Sequence, residues 1–91
     1  MLRVMGTHLY QIYIERIDPQ QNMARYYSLA IAPTLFGDLS LIRCWGRIGT
    51  GGQTRVHLFA REEDALRLFL RLLASKRRRG YRPRPPHTRA H

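Results

Sequence analysis

One cysteine, Cys44, stands in the 91 residues, so no disulfide can close within the chain and a reducing compartment is the natural setting. No apolar run is long enough to span a membrane, and the opening "MLRVMGTHLY" carries no signal-peptide core. The expected location is the cytoplasm, and the nucleoid if the protein binds DNA. Histidines are few and scattered: His8, His57, His87 and His91 show no metal-ligand spacing. "GTGG" lacks the Lys-Ser/Thr that completes a phosphate-cradling loop, and a hairpin turn accounts for it better. No carboxylate pair suggests acid–base catalysis. Neither an enzyme nor a metal, small-molecule cofactor or membrane partner is expected.

Negative charge is the other scarcity. Six Asp+Glu face sixteen Lys+Arg, a formal net charge of +10, and only Lys76 among the bases is a lysine. From Lys76 onward come Arg77, Arg78, Arg79, Arg82, Arg84 and Arg89 with no acid between them. A solubilising tail is one reading. The other is a polyanion partner, because the planar guanidinium makes paired hydrogen bonds to phosphate and stacks on flat rings.

What remains is a short chain with 44% hydrophobic residues, enough for one small domain with a limited core. Residues 1–7 form a loose leader. "HLYQIYIERI", His8 to Ile17, alternates with period two, setting Tyr10, Ile12 and Ile14 on one side. "DPQQN" reads as a turn. "RYYSLAI" follows as a second strand with Tyr27, Leu29 and Ile31 on one face, and Pro33 stops it because proline cannot donate to a ladder. "LSLIRCWGRIG" is a third strand, and "TGGQ" turns it into a fourth, "TRVHLFA". At Arg61 the period lengthens. Ala65, Phe69, Leu72, Leu73 and Lys76 recur at helical spacing, with Leu66 widening the stripe. Glu62, Glu63 and Asp64 open this helix and Lys76 to Arg79 close it, matching the dipole at both ends; Gly80 is placed to terminate it. Ala60 and Arg61 supply no capping side chain. The expectation is an α+β fold in ββββα order: a small antiparallel sheet of about four strands with one C-terminal helix on one face. The folded unit runs over residues 8–81, and residues 82–91 form a flexible tail rich in proline and arginine.

The third strand carries the chemistry. Alternation separates Ile42, Cys44, Gly46 and Ile48 from Arg43, Trp45 and Arg47. The first set is small and apolar, so it is expected beneath the helix, with Gly46 easing the approach and Cys44 a small core residue. The second is a cation–indole–cation row, its members roughly 7 Å apart at a rise of about 3.4 Å per residue. Two unpaired arginines do not belong in an apolar layer, so this row is expected on the helix-free face. There the indole could stack on a base or sugar while the arginines take phosphates. Alternatively, the stems of Arg43 and Arg47 cover the ring within the monomer. Arg55 joins the same face if the turn pairs Arg47 with Gln53, and leaves it on a one-residue slip. The candidate nucleic-acid-binding residues are Trp45, Arg47, Arg43, Arg55, Lys76, Arg77, Arg78 and Arg79.

"WGRIG" at Trp45 to Gly49, the following "FAREEDAL" and the closing "KRRRGY" together resemble the WGR domain, over roughly Leu9 to Tyr81. That family occurs within poly(ADP-ribose) polymerases and as short bacterial proteins, and its fold is an antiparallel sheet with a helix. The resemblance implies DNA binding near strand breaks. It assigns sugar stacking to Trp45, and DNA and neighbouring-domain contacts to Arg47. The missing Ser or Asp cap at Ala60–Arg61 departs from the family pattern, and no polymerase domain is present from which to infer ADP-ribosylation. The expected function is a DNA-binding module for ends, nicks or junctions. A protein-interaction module using the Trp/Arg face is the alternative, and RNA is a further candidate ligand.

Overall fold

The computed structural model describes residues 8–84. The leader 1–7 and the end of the tail, with His87, Arg89 and His91, lie outside the described residues. Strand β1 (Tyr10–Asp18) leads through a single 3-10 turn (Pro19–Gln21) into β2 (Met23–Pro33). β3 (Leu39–Arg47), β4 (Gln53–Phe59), helix α1 (Glu62–Arg78) and a two-residue strand, β5 (Arg82–Pro83), follow. The sheet order is β4-β3-β2-β1-β5, with every described pair antiparallel. The expected four strands and C-terminal helix are all present. The addition is β5, whose pairing of Arg82 with Glu15 and Pro83 with Ile14 draws the start of the tail onto the sheet edge. An edge is where a proline can sit without costing a ladder bond.

Local chemistry accounts for the junctions. In "DPQQN", the Asp18 carboxylate accepts from the Gln20 amide at 3.2 Å and the Gln21 side chain at 2.8 Å. Asn22 takes the left-handed conformation (φ 52°) that asparagine tolerates and reverses the chain. The helix start has no side-chain cap, as the sequence implies; Arg61 precedes it in an extended conformation. Tyr10 ties down this end instead, donating its hydroxyl to Glu62 at 2.9 Å. At the other end Gly80 (φ +99°) donates to the Arg77 carbonyl and Tyr81 to the Lys76 carbonyl, the paired bonds of a Schellman motif. That reversal drives Tyr81 into the core, edge-on to Tyr27 with ring centroids 6.3 Å apart.

The core lies between α1 and one sheet face. Ile14, Tyr27, Leu29, Ile31 and Leu41 meet Ala65 and Phe69 there. Directly opposed residues of antiparallel strands point the same way. The register Ile31↔Leu41, Leu29↔Arg43 and Tyr27↔Trp45 therefore sets Leu39, Leu41, Arg43, Trp45 and Arg47 on the helix side. This reverses the expected sidedness of β3. Ile42, Cys44 and Gly46 face away from the helix, and the Arg43–Trp45–Arg47 row lies on the helix-bearing face. The physical reason is volume: Leu39 and Leu41 fill the layer beneath α1 far better than Cys44 and Gly46, and they share parity with the arginines. Gly46 has a different task. A Cβ there would sit 2.7 Å from the Gly52 Cα, so its bare backbone lets the β3–β4 turn fold back. Cys44 is half-buried on the open face, its sulfur 3.5 Å from the Thr54 hydroxyl, rather than in the core.

Candidate nucleic-acid interface

The two halves of β3 meet different surroundings. Leu41 lies in the core cluster, whereas Leu39 on one side of it and Trp45 on the other only border the cluster and remain half-buried. Beside the last turn of α1 a cavity of about 480 Å³ opens, lined by Arg25, Arg47 and Lys76 together with Trp45, Tyr26 and Tyr81. The indole is therefore on the helix side without being sealed beneath the helix. It forms part of the wall of an open basin.

Each cation here is placed by the fold. The Arg43 guanidinium lies 5.4 Å from the centroid of the Trp45 ring, and its Nε donates to the Tyr27 hydroxyl at 3.0 Å. This cation–π contact realises the intramolecular cover anticipated for the indole, but on the part of Arg43 alone. Arg47 turns elsewhere, donating to the backbone carbonyl of Asn22 at 3.2 Å and to its side-chain oxygen at 3.4 Å. The left-handed Asn22 thus fixes an arginine distant in sequence. Lys76 points its Nζ at two aromatic rings, 4.6 Å from the centroid of Tyr27 and 5.4 Å from that of Tyr81. Burial pushes its ammonium below the usual lysine range, and the nearby charges of Arg79, Arg43 and Arg25 push the same way.

Cross-strand register concentrates the charge further. Arg16 lies opposite Arg25, and Arg25 opposite Arg47, so three arginines stand in line across β1, β2 and β3. Arg43 faces Arg55 in the same manner. Like charges directly opposed destabilise a sheet. Among the described residues, ion pairs join Arg61 to Glu63, Arg67 to Asp64 and Arg84 to Glu15. None reaches Arg16, Arg25, Arg43, Arg47 or Lys76. The local acids are spent elsewhere, leaving a cationic, aromatic-walled hollow whose electrostatics a polyanion would relieve.

The structure unites Trp45, Arg47 and Lys76 at the basin, with Arg43 behind the indole and Arg79 close enough to act on Lys76. Arg55 is on this face, but Trp45 pairs with Gln53, two residues from the pairing considered, so Arg55 stands beside Arg43. There it and Arg43, after burial, hold His57 below its usual range. Arg77 and Arg78 line a separate depression with Leu70, Leu73 and Ala74. Sequence reading missed Arg16, Arg25, Tyr26 and Tyr81. Arg25 shares parity with Tyr27, Leu29 and Ile31, so its side of the sheet was legible; its place opposite Arg47 needed the register.

Fold and site together define a small α+β module with a basic, aromatic-walled hollow on its helix-bearing face. The chain belongs to the WGR domain family, whose model matches residues 10–88. That family is a non-catalytic module associated with nucleic-acid or protein interaction in general. The chain is also similar to an uncharacterised protein, y4dW, of Sinorhizobium fredii, with 66% identity over 82 residues; the match takes in 90% of this chain and 40% of that relative's length. No solved structure matches.

Proposed function

We propose that this chain binds DNA at ends, nicks or junctions through the basin beside the C-terminal turn of α1. The carrying observation is the line of Arg16, Arg25 and Arg47 across three strands, without an ion pair among the described residues and with Trp45 and Lys76 alongside. Its members are about 5 Å apart, the spacing of directly opposed residues. Such a row suits consecutive backbone phosphates, while the indole, half-buried and braced by Arg43, offers a fixed surface to an exposed sugar or base. An intact duplex stacks its bases away from such a surface. An end or nick exposes one, which is why Trp45 favours interruptions while the cations grip any stretch of backbone. Arg79 and Arg55 extend the positive field. Arg77 and Arg78 contribute long-range attraction from the neighbouring surface.

Trp45 is the chain's one tryptophan, so its fluorescence reports on the proposed contact directly. Titration with blunt, nicked and covalently closed circular DNA at several salt concentrations is the test. If about four or five phosphates are neutralised, the log–log salt slope is near −4. Read by competition against a labelled duplex, since the variant has no tryptophan, Trp45→Ala should weaken binding to nicked and blunt DNA by roughly 5- to 150-fold, the range of one stacked base, and leave closed circles nearly unchanged. Equal losses on all three forms would refute end recognition. Preference for a matched RNA strand would reassign the ligand.

A further inference from the structure

At the end of the sheet away from the basin, the β2–β3 loop holds two large apolar side chains almost wholly in water: Leu35 is 98% exposed and Phe36 90%. The loop is ordered by its own bonds. Thr34 donates its amide to the Asp38 carbonyl at 2.9 Å, the Phe36 amide donates to the Thr34 hydroxyl at 3.2 Å, and Gly37 takes a left-handed φ of +89°. Scattered exposed apolar residues are ordinary, but two adjacent ones raised on a braced turn form a knob. Its surroundings are acidic. Pro33, Leu39 and Phe59 align across β2, β3 and β4, so the knob and the start of α1 leave the same sheet end. Four of the chain's six acids lie there; Glu63 and Asp64 are paired with Arg61 and Arg67, which leaves the net negative charge on Asp38 and Glu62. That charge disfavours both nucleic-acid phosphates and an anionic bilayer, and favours an apolar pocket rimmed by cations.

The outer side of α1 offers such a pocket. Leu70, Leu73 and Ala74 line a depression of about 410 Å³ with Arg77 and Arg78 at its rim, and Leu70 is half-exposed. Knob and depression lie toward opposite ends of one chain, so they meet only between copies. We infer that the Leu35–Phe36 knob of one copy seats in the Leu70–Leu73–Ala74 depression of a second, with Asp38 and Glu62 facing Arg77 and Arg78. The contact is head-to-tail, leaves one free knob and one free pocket on each assembly, and therefore propagates rather than stopping at a dimer. It is small, hence weak. The basin stays open on every copy, so the inference does not rest on DNA binding.

Sedimentation velocity over a wide protein range, at physiological ionic strength and after nuclease treatment, tests it. For the native chain the average sedimentation coefficient should rise steadily with concentration. Leu35→Ser/Phe36→Ser and, separately, Leu70→Glu should stay monomeric, their association weakened at least about tenfold, one apolar side chain's burial being worth a decade or more. All these positions are exposed, and circular dichroism checks that both variants fold. An equimolar mixture of the two should recover a dimer and nothing larger, because each mixed pair retains one intact knob and one intact pocket. A native chain that stays monomeric, variants that still associate alone, or a mixture that does not pair would overturn the inference. So would vesicle binding by the native chain that Leu35→Ser/Phe36→Ser abolishes.

Discussion

The ammonium of Lys76 sits 4.6 Å from the centre of the Tyr27 ring, on the same sheet face as the indole opposite that tyrosine. A lysine drawn out of water beside other cations is costly in its charged form. Its pKa in the folded chain is below the ordinary 10.5. Between the folded and unfolded values the unfolded chain holds more protons, so stability rises with pH through that window and is flat below it.

A bound phosphate reverses the bias and draws a proton back onto Lys76. DNA affinity should therefore fall as pH rises through the lowered lysine pKa, at fixed salt. Lys76→Met should bind more weakly at neutral pH and lose that alkaline dependence. Anisotropy titrations across the alkaline range would check it; a dependence unchanged in the variant would sink the assignment.

Arg25, flanked by Arg16 and Arg47 in register, should trade stability for binding. Arg25→Gln is expected to stabilise the free protein by about 0.2–1 kcal/mol at low salt, the scale of one cross-strand charge pair. It should weaken DNA binding and make the salt slope shallower by about one. Thermal melts beside binding isotherms measure both signs at once.

Gly46 is held bare by the backbone of Gly52, since an added Cβ meets that Cα at 2.7 Å. Gly46→Ala should cost about 1–3 kcal/mol, the usual penalty for overfilling a packed site. Urea denaturation gives the value. A cost near zero would mean that the turn yields freely.

Glu15 is buried, accepts the Tyr13 hydroxyl at 2.6 Å and pairs with Arg84 at 2.9 Å. Tyr13 is pushed up to about 12, chiefly by loss of solvent and next by this carboxylate. Glu15→Gln should bring the phenol part of the way back toward 10, visible as earlier phenolate absorbance on alkaline titration. Because Arg84 is nearly half-exposed, the pair is only partly desolvated. A stability loss of about 1–3 kcal/mol is expected, below that of a fully buried pair.

Local pattern by itself determined the order of β1 to β4 and α1, the Gly80 terminus and the helix stripe, because period two and period 3.6 are properties of neighbouring residues, but it did not reach β5. It also determined that Trp45, Arg43 and Arg47 share a face, and that the acids are too few to neutralise the arginines. Which face that is depends on the layer beneath the helix. Reading Arg43 and Arg47 as too costly for that side overlooked Leu39 and Leu41, which occupy the same parity, Leu41 being fully buried. One strand can serve both purposes because α1 crosses it only in part. Tertiary structure alone decided that Arg16, Arg25 and Arg47 stand in line, and that Lys76 comes to rest between two tyrosines. Strand register and the Gly80 reversal set those meetings, and both join residues far apart in the chain, where no short-range pattern reaches.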